Sequence, residues 1–276
     1  MSPETVLFFA CECGVILSVL ALIAAMIVAK KNRDAAAAKA DKVARTIAMT
    51  ISLLTIAVLT AFLVIRAIRT GHGPFTSMYE FAIAFLWGIL TMSMVFSWKY
   101  KNLVLHLAGF FAGGCLMIYI STLSGEAAPL VPALQNSLLL TAHVFSAVIA
   151  YGAFTIGFLS SLLYLIQKND RIAALPPQNK LEEISYHSVI IGFPFMTLVI
   201  VLGAIWADIA WGVFWNWDPK ETASLVTWLL YAGYLHTRLM RKWRGKKSAI
   251  LLIVGFAAVI FTFFGNYLFD GLHSYV

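Results

Sequence analysis

Eight long apolar runs, at 5–29, 46–68, 78–98, 103–121, 138–166, 188–206, 223–240 and 248–268, succeed one another along the chain with short polar segments between them. Each is close to the ~20 residues that carry a helix across a hydrocarbon core. None alternates over about ten residues as a transmembrane strand must, so the backbone groups of such runs are satisfied only inside helices. The pattern predicts an all-α integral membrane protein, a bundle of about eight transmembrane helices forming a single polytopic membrane domain over 1–276. The segment 34–45, DAAAAKADKVAR, reads as a short solvated helical connection between the first two runs. The first run is preceded by Glu4 and followed by Lys30, Lys31 and Arg33, the reverse of a secretory signal's charge order, and is expected to be retained as a span.

Composition supports the pattern: 61% of residues are hydrophobic, 12% are charged and the mean hydropathy is +0.85. A soluble domain carries about twice that charge. The net charge of +7 would in a soluble protein raise nucleic-acid binding, but here the basic residues lie between apolar runs and form no single patch. Their role is topological, and the expected non-protein partner is membrane lipid, with no nucleic acid. The segments after runs one, three, five and seven hold 17 of the 20 Lys and Arg residues, leaving Arg66, Arg69 and Lys220 on the other side. Because short cytoplasmic loops retain positive charge, both termini are expected on the external face. Cys11, Cys13 and Cys115 lie within apolar segments without C-x-x-C spacing, which suggests neither a thiol-redox pair nor a zinc site. No C-x-x-C-H occurs, so no covalent c-type heme is carried.

The candidate chemistry sits on the external side. From Trp206 to Glu221 the chain reads WADIAWGVFWNWDPKE, placing Trp206, Trp211, Trp215 and Trp217 before Asp218, Pro219, Lys220 and Glu221. An interfacial tryptophan belt is one explanation. The other is an external Trp-rich loop, 206–221, forming a flat aromatic platform for a large planar apolar ligand, with charged groups at its rim. Asp218, Lys220 and Glu221 then have three open roles: meeting carboxylates of the ligand, supporting the loop, or capping the next helix. His143, near the external end of run five, and His273, just beyond run eight, flank this loop from different helices. That is the arrangement bis-imidazole ligation of a heme iron requires. His236 lies 14 residues beyond Thr222, a depth of about 21 Å at 1.5 Å per residue, in the inner half of run seven. It is a candidate second heme position whose other ligand would come from His106, His187 or another protein. His72, His106 and His187 are otherwise read as local polar residues. A b-type heme electron-transfer subunit and a transporter of another solute are the rival classes; the first predicts facing histidines at similar depth, the second broken helices near the midplane.

The run WGVFWNWDPKETASLVTWLLYAGYLHTR (211–238) resembles the tryptophan-rich WWD signature of the heme-handling proteins of cytochrome c maturation, and among them the CcsA/ResC branch of system II. The similarity extends to GHGPFTSMYEF (71–81), PLVPALQNSLLLTAHV (129–144), IIGFPFMTLVIVLGAIWA (190–207) and GNYLFDGLHSY (265–275). The resemblance implies that His143 and His273 are the external axial ligands of heme b handled as a transported substrate, and that His236 is the ligand of an earlier, membrane-embedded site. It implies export or presentation of heme and its thioether attachment to the CxxCH of apocytochrome c, a holocytochrome c synthase (heme lyase) activity shared with a CcsB/ResB-type membrane partner. The implied location is the bacterial plasma membrane, with the thylakoid membrane as the alternative.

Overall fold

The computed structural model describes residues 3–31, 35–126 and 137–264. Among them are eight α-helices: α1 (Pro3–Lys31), α2 (Ala35–Thr70), α3 (Met78–Tyr100), α4 (Leu103–Ile120), α5 (Ser137–Ile166), α6 (Gln178–Trp211), α7 (Pro219–Met240) and α8 (Lys246–Phe264). All except α7 are long and apolar enough to cross a membrane. Ser224, Thr227, Tyr231, Tyr234 and His236 punctuate α7 with polar groups and lower its hydropathy. The chain is therefore a multi-pass, all-α membrane protein.

Two helices outrun their apolar cores. The segment expected as a connection at 34–45 is, from Ala35, the first part of α2, because alanine has the highest helix propensity and Asp41 pairs with Arg45 one turn away at 2.9 Å. Helix α6 starts ten residues before its apolar run. Its first turns bury Leu181, Ile184, Ser185 and Ser188, the i, i+3, i+4, i+7 face of an amphipathic helix.

The helices form two compact units, one within Met1–Ala128 and the other within Pro129–Val276. In the first, α1 packs on α2 and α4, and α3 packs on the same two, closing a four-helix ring. Its interior is filled by Leu22, Leu59, Phe62, Leu86, Leu90 and Phe110, and polar groups cross it in hydrogen-bonded pairs. Ser18 meets Thr55 at 3.2 Å, and His106, fully buried, places Nε2 3.0 Å from Ser52 Oγ and Nδ1 3.4 Å from Ser93 Oγ. At the other end Arg66, 3% exposed, donates from Nε to Glu80 at 2.8 Å and from Nη1 to Glu4 at 3.1 Å and to the Gly125 carbonyl at 2.8 Å. Glu80 also accepts from the backbone N–H and the hydroxyl of Thr76, both at 2.9 Å, which fixes the loop leading into α3.

In the second unit α5 packs on α6 and α8, and α7 packs on the same two. The Phe154 ring stacks on Tyr231 with centroids 3.6 Å apart, and Gly192 of α6 makes room for that ring. Across α7, the Trp228 indole donates to Thr197 at 2.9 Å and Thr227 meets Thr262 at 3.1 Å. Near its basic end Arg238 is ion-paired with Glu182. Such pairs satisfy polar groups that lipid would leave bare, and their net contribution averages about 0.6 kcal/mol each.

Candidate functional site

The stretch expected as a loop over 206–221 is helical at both ends. Helix α6 runs on to Trp211 and stops where Gly212 adopts a left-handed φ of 74° and donates to the Asp208 carbonyl. Helix α7 begins at Pro219, immediately after its N-cap Asp218. Only 212–218 lies outside the helices. Trp206 is thus a helix residue, 3% exposed in the unit's interior, and Trp211 contacts it edge-on with centroids 4.7 Å apart at 75°. Trp215 and Trp217 form a second pair, 5.9 Å apart at 86°. The four indoles therefore make two perpendicular pairs and not the flat platform expected from composition, because edge-to-face contact is favoured by the ring quadrupole.

Trp217 holds φ at +57°, a left-handed conformation costly for a bulky side chain, and is 68% exposed. Such strain persists only where surrounding contacts enforce it. Val213 and Phe214 beside it are also exposed. The Trp215 indole N–H is buried and has no acceptor among the described residues, so a donor is already desolvated at this turn. These features suit a planar, largely apolar ligand carrying acceptor groups at its edge.

Of the three roles open to the charged residues, capping is visible. Asp218 accepts from the backbone N–H of Lys220 at 2.9 Å. Glu221 reaches back to accept from the backbone N–H groups of Asp218 at 3.2 Å and Asn216 at 2.9 Å, completing a capping box with the turn tied to it. Burial pushes the Lys220 ammonium below its ordinary value, with Asp218 acting in the opposite direction.

His143 lies on α5, half-buried, and its Nδ1 is 3.0 Å from the Val199 carbonyl oxygen of α6. A carbonyl only accepts, so Nδ1 carries the proton and the lone pair lies on Nε2. This is the tautomer and the type of support that metal-ligating histidines use. His236 is exposed on the face of α7 opposite the buried residues Ala223, Thr227, Tyr231 and Tyr234. His273 lies outside the described residues. Both ring nitrogens of His106 are engaged by serines within its own unit, and His187 Nδ1 lies 3.0 Å from the Glu183 carbonyl of its own helix. His72 Nδ1 is 2.9 Å from the Gly73 carbonyl. These three keep the local polar roles expected of them.

The Arg66, Glu80 and Glu4 cluster and the Val199 carbonyl were not identified from sequence. A charged triplet at the ends of three apolar runs was the available signal for the first. A glycine inside the run LVIVLGAIW was the signal near the second.

The model of the cytochrome c assembly protein family matches residues 75–273. A cytochrome c biogenesis protein CcsA from Chlamydomonas reinhardtii is 39% identical over 234 residues, covering 79% of this chain and 65% of the algal protein. CcsA from Guillardia theta is 35% identical over 253 residues, covering 81% of this chain and 83% of the relative, and CcsA from Prochlorococcus marinus (strain NATL1A) is 35% identical over 256 residues, covering 79% and 81%. Among solved structures, the cytochrome c heme lyase CcmF superposes with a TM-score of 0.65 at 16% identity, covering 96% of this chain and 47% of CcmF, a likeness of fold. This chain spans about two thirds of the Chlamydomonas protein and about half of CcmF. With a family match across most of its length and relatives above 30% identity, the chain belongs to the cytochrome c assembly family, in its CcsA group.

Proposed function

We propose that this protein takes part in cytochrome c maturation by holding heme at the external membrane face while the heme is joined to apocytochrome c. The observation that carries the reading is His143, whose Nδ1–H donates to the Val199 carbonyl, so that in the neutral ring Nε2 has the lone pair a heme iron needs. His143 and His273 are the two axial ligands of this external site, and heme b is the transported substrate. The exposed apolar turn of Val213, Phe214 and Trp217 meets the porphyrin, and Trp206, Trp211 and Trp215 brace it.

Asp218, Pro219 and Glu221 set the start of α7 and the backbone of the turn, and Lys220 supplies a cation for a propionate. Each thioether forms by adding a cysteine S–H of the CxxCH motif across a heme vinyl group. Sulfur bonds to the inner vinyl carbon and hydrogen goes to the terminal carbon, so no nucleophile from this chain and no oxidant is consumed. Its residues orient the ring and exclude water, which is where positional catalysis arises. This is the heme lyase component of the reaction. His236, exposed on an otherwise apolar helix face, ligates heme earlier on its route, with a CcsB/ResB-type membrane protein supplying the second ligand.

The test is co-expression with such a partner and an apocytochrome c, followed by heme staining. His143→Gly should abolish holocytochrome formation, and added imidazole should restore part of it by filling the open coordination position. Unimpaired maturation in the variant would overturn the reading.

A further inference from the structure

On α6, Gly203 is the residue whose N–H follows the Val199 carbonyl in the i to i−4 helical pattern, so it stands directly beside the acceptor used by His143. A Cβ built on Gly203 would lie 2.9 Å from His143 Cε1, 3.2 Å from Nδ1 and 3.8 Å from Nε2, and these ring atoms are its three nearest neighbours. The imidazole therefore lies against bare helix backbone, in space that any other residue would fill. Val199 O has two lone pairs, one for its helical donor and one for the histidine, so the contact costs the helix no hydrogen bond. We propose that Gly203 is a positioning residue for His143: by lacking a side chain it admits the ring to the α6 backbone, where the Val199 carbonyl fixes the Nδ1–H tautomer and directs Nε2 to the heme iron.

The inference rests on the reading of His143 as a heme ligand, and the experiment separates the two. Full-length protein with its co-expressed partner is purified in detergent in a His236→Ala background, so that the membrane histidine does not contribute, and titrated with hemin. Heme binding is read from the bis-imidazole absorption spectrum and its redox midpoint. Gly203→Ala should lower affinity by roughly 10–100-fold, the usual effect of losing the support behind a metal-ligating histidine. The signature of positioning is the background dependence. In His143→Gly protein without added imidazole, adding Gly203→Ala should change neither the residual affinity nor the midpoint, because the ring that the new methyl would strike is gone. That double variant also has no clash to prevent folding, so it remains informative if Gly203→Ala alone misfolds.

Wild-type affinity in Gly203→Ala, or a further loss in the double variant relative to His143→Gly alone, would overturn the inference while leaving His143 as a ligand. Unchanged hemin binding in His143→Gly without imidazole would overturn the ligand reading, and this inference with it.

Discussion

Replacing Arg66 with methionine should destabilise the first helical unit more than any other single charge removal there. Arg66 is 3% exposed and Glu80 is 2% exposed, so the substitution strands a carboxylate that has no route to water. Glu80 Oε1, Glu4 Oε2 and the Gly125 carbonyl each lose a donor, although Glu4 keeps Arg69 at 3.0 Å and Glu80 keeps Thr76. Breaking a buried pair from one side costs about 3–5 kcal/mol, mostly because the remaining charge is uncompensated. Arg69 serves as the internal contrast. Its side chain is 56% exposed, and solvent screening limits its pair with Glu4 to about 0–1 kcal/mol. Thermal unfolding in detergent, followed by helical circular dichroism, should show Arg66→Met falling by about 10 °C at about 2–4 °C per kcal/mol, with Arg69→Met nearly unchanged. Arg66→Met combined with Glu80→Gln should recover part of the loss, since both charges are then gone. Equal melting of the Arg66 and Arg69 variants, or an additive double variant, would refute the reasoning.

Other expectations separate structural from ligand-facing residues. Asp218→Ala should cost about 0.5–2 kcal/mol through loss of the α7 cap, with Asp218→Asn retaining most of it, as measured by thermal melts of the two variants. Trp217→Gly should leave stability unchanged or raise it, because glycine accepts the left-handed φ that tryptophan pays about 1–3 kcal/mol to hold, yet heme retention should fall with the loss of the exposed indole. Equal retention would remove Trp217 from the site. His106→Ala should lower stability by about 1–3 kcal/mol as Ser52 loses its ring partner and Ser93 keeps only the backbone carbonyl of residue 106, with the heme spectrum intact. A changed spectrum there would make His106 a ligand.

Much of the architecture was legible in the chain because bilayer thickness and backbone hydrogen bonding leave few options for runs this long. The helix ends were less so. Hydropathy locates the part of α6 that faces lipid, whereas Leu181, Ile184 and Ser188 extend it as an amphipathic helix whose polar residues mask the signal. Asp218 and Glu221 could be read as a cap because the motif is local. The indole orientations could not, since they depend on the backbone turns at Gly212 and Trp217. Contacts between distant segments, Arg66 with Glu4 and His143 with Val199, need the register between packed helices, which spacing along the chain does not contain.

The central claim is that His143 and His273 hold heme on the external face. It is tested most directly by the reduced-minus-oxidised absorption spectrum of the detergent-purified protein, co-expressed with the proposed CcsB/ResB-type protein, for wild type and the His143→Ala, His273→Ala double variant. A b-type heme signal that is strongly diminished in the double variant, leaving only the share held at His236, is the predicted result. A signal of unchanged size and shape would contradict the account, and would move the heme to His236 or to a permanently bound electron-transfer site.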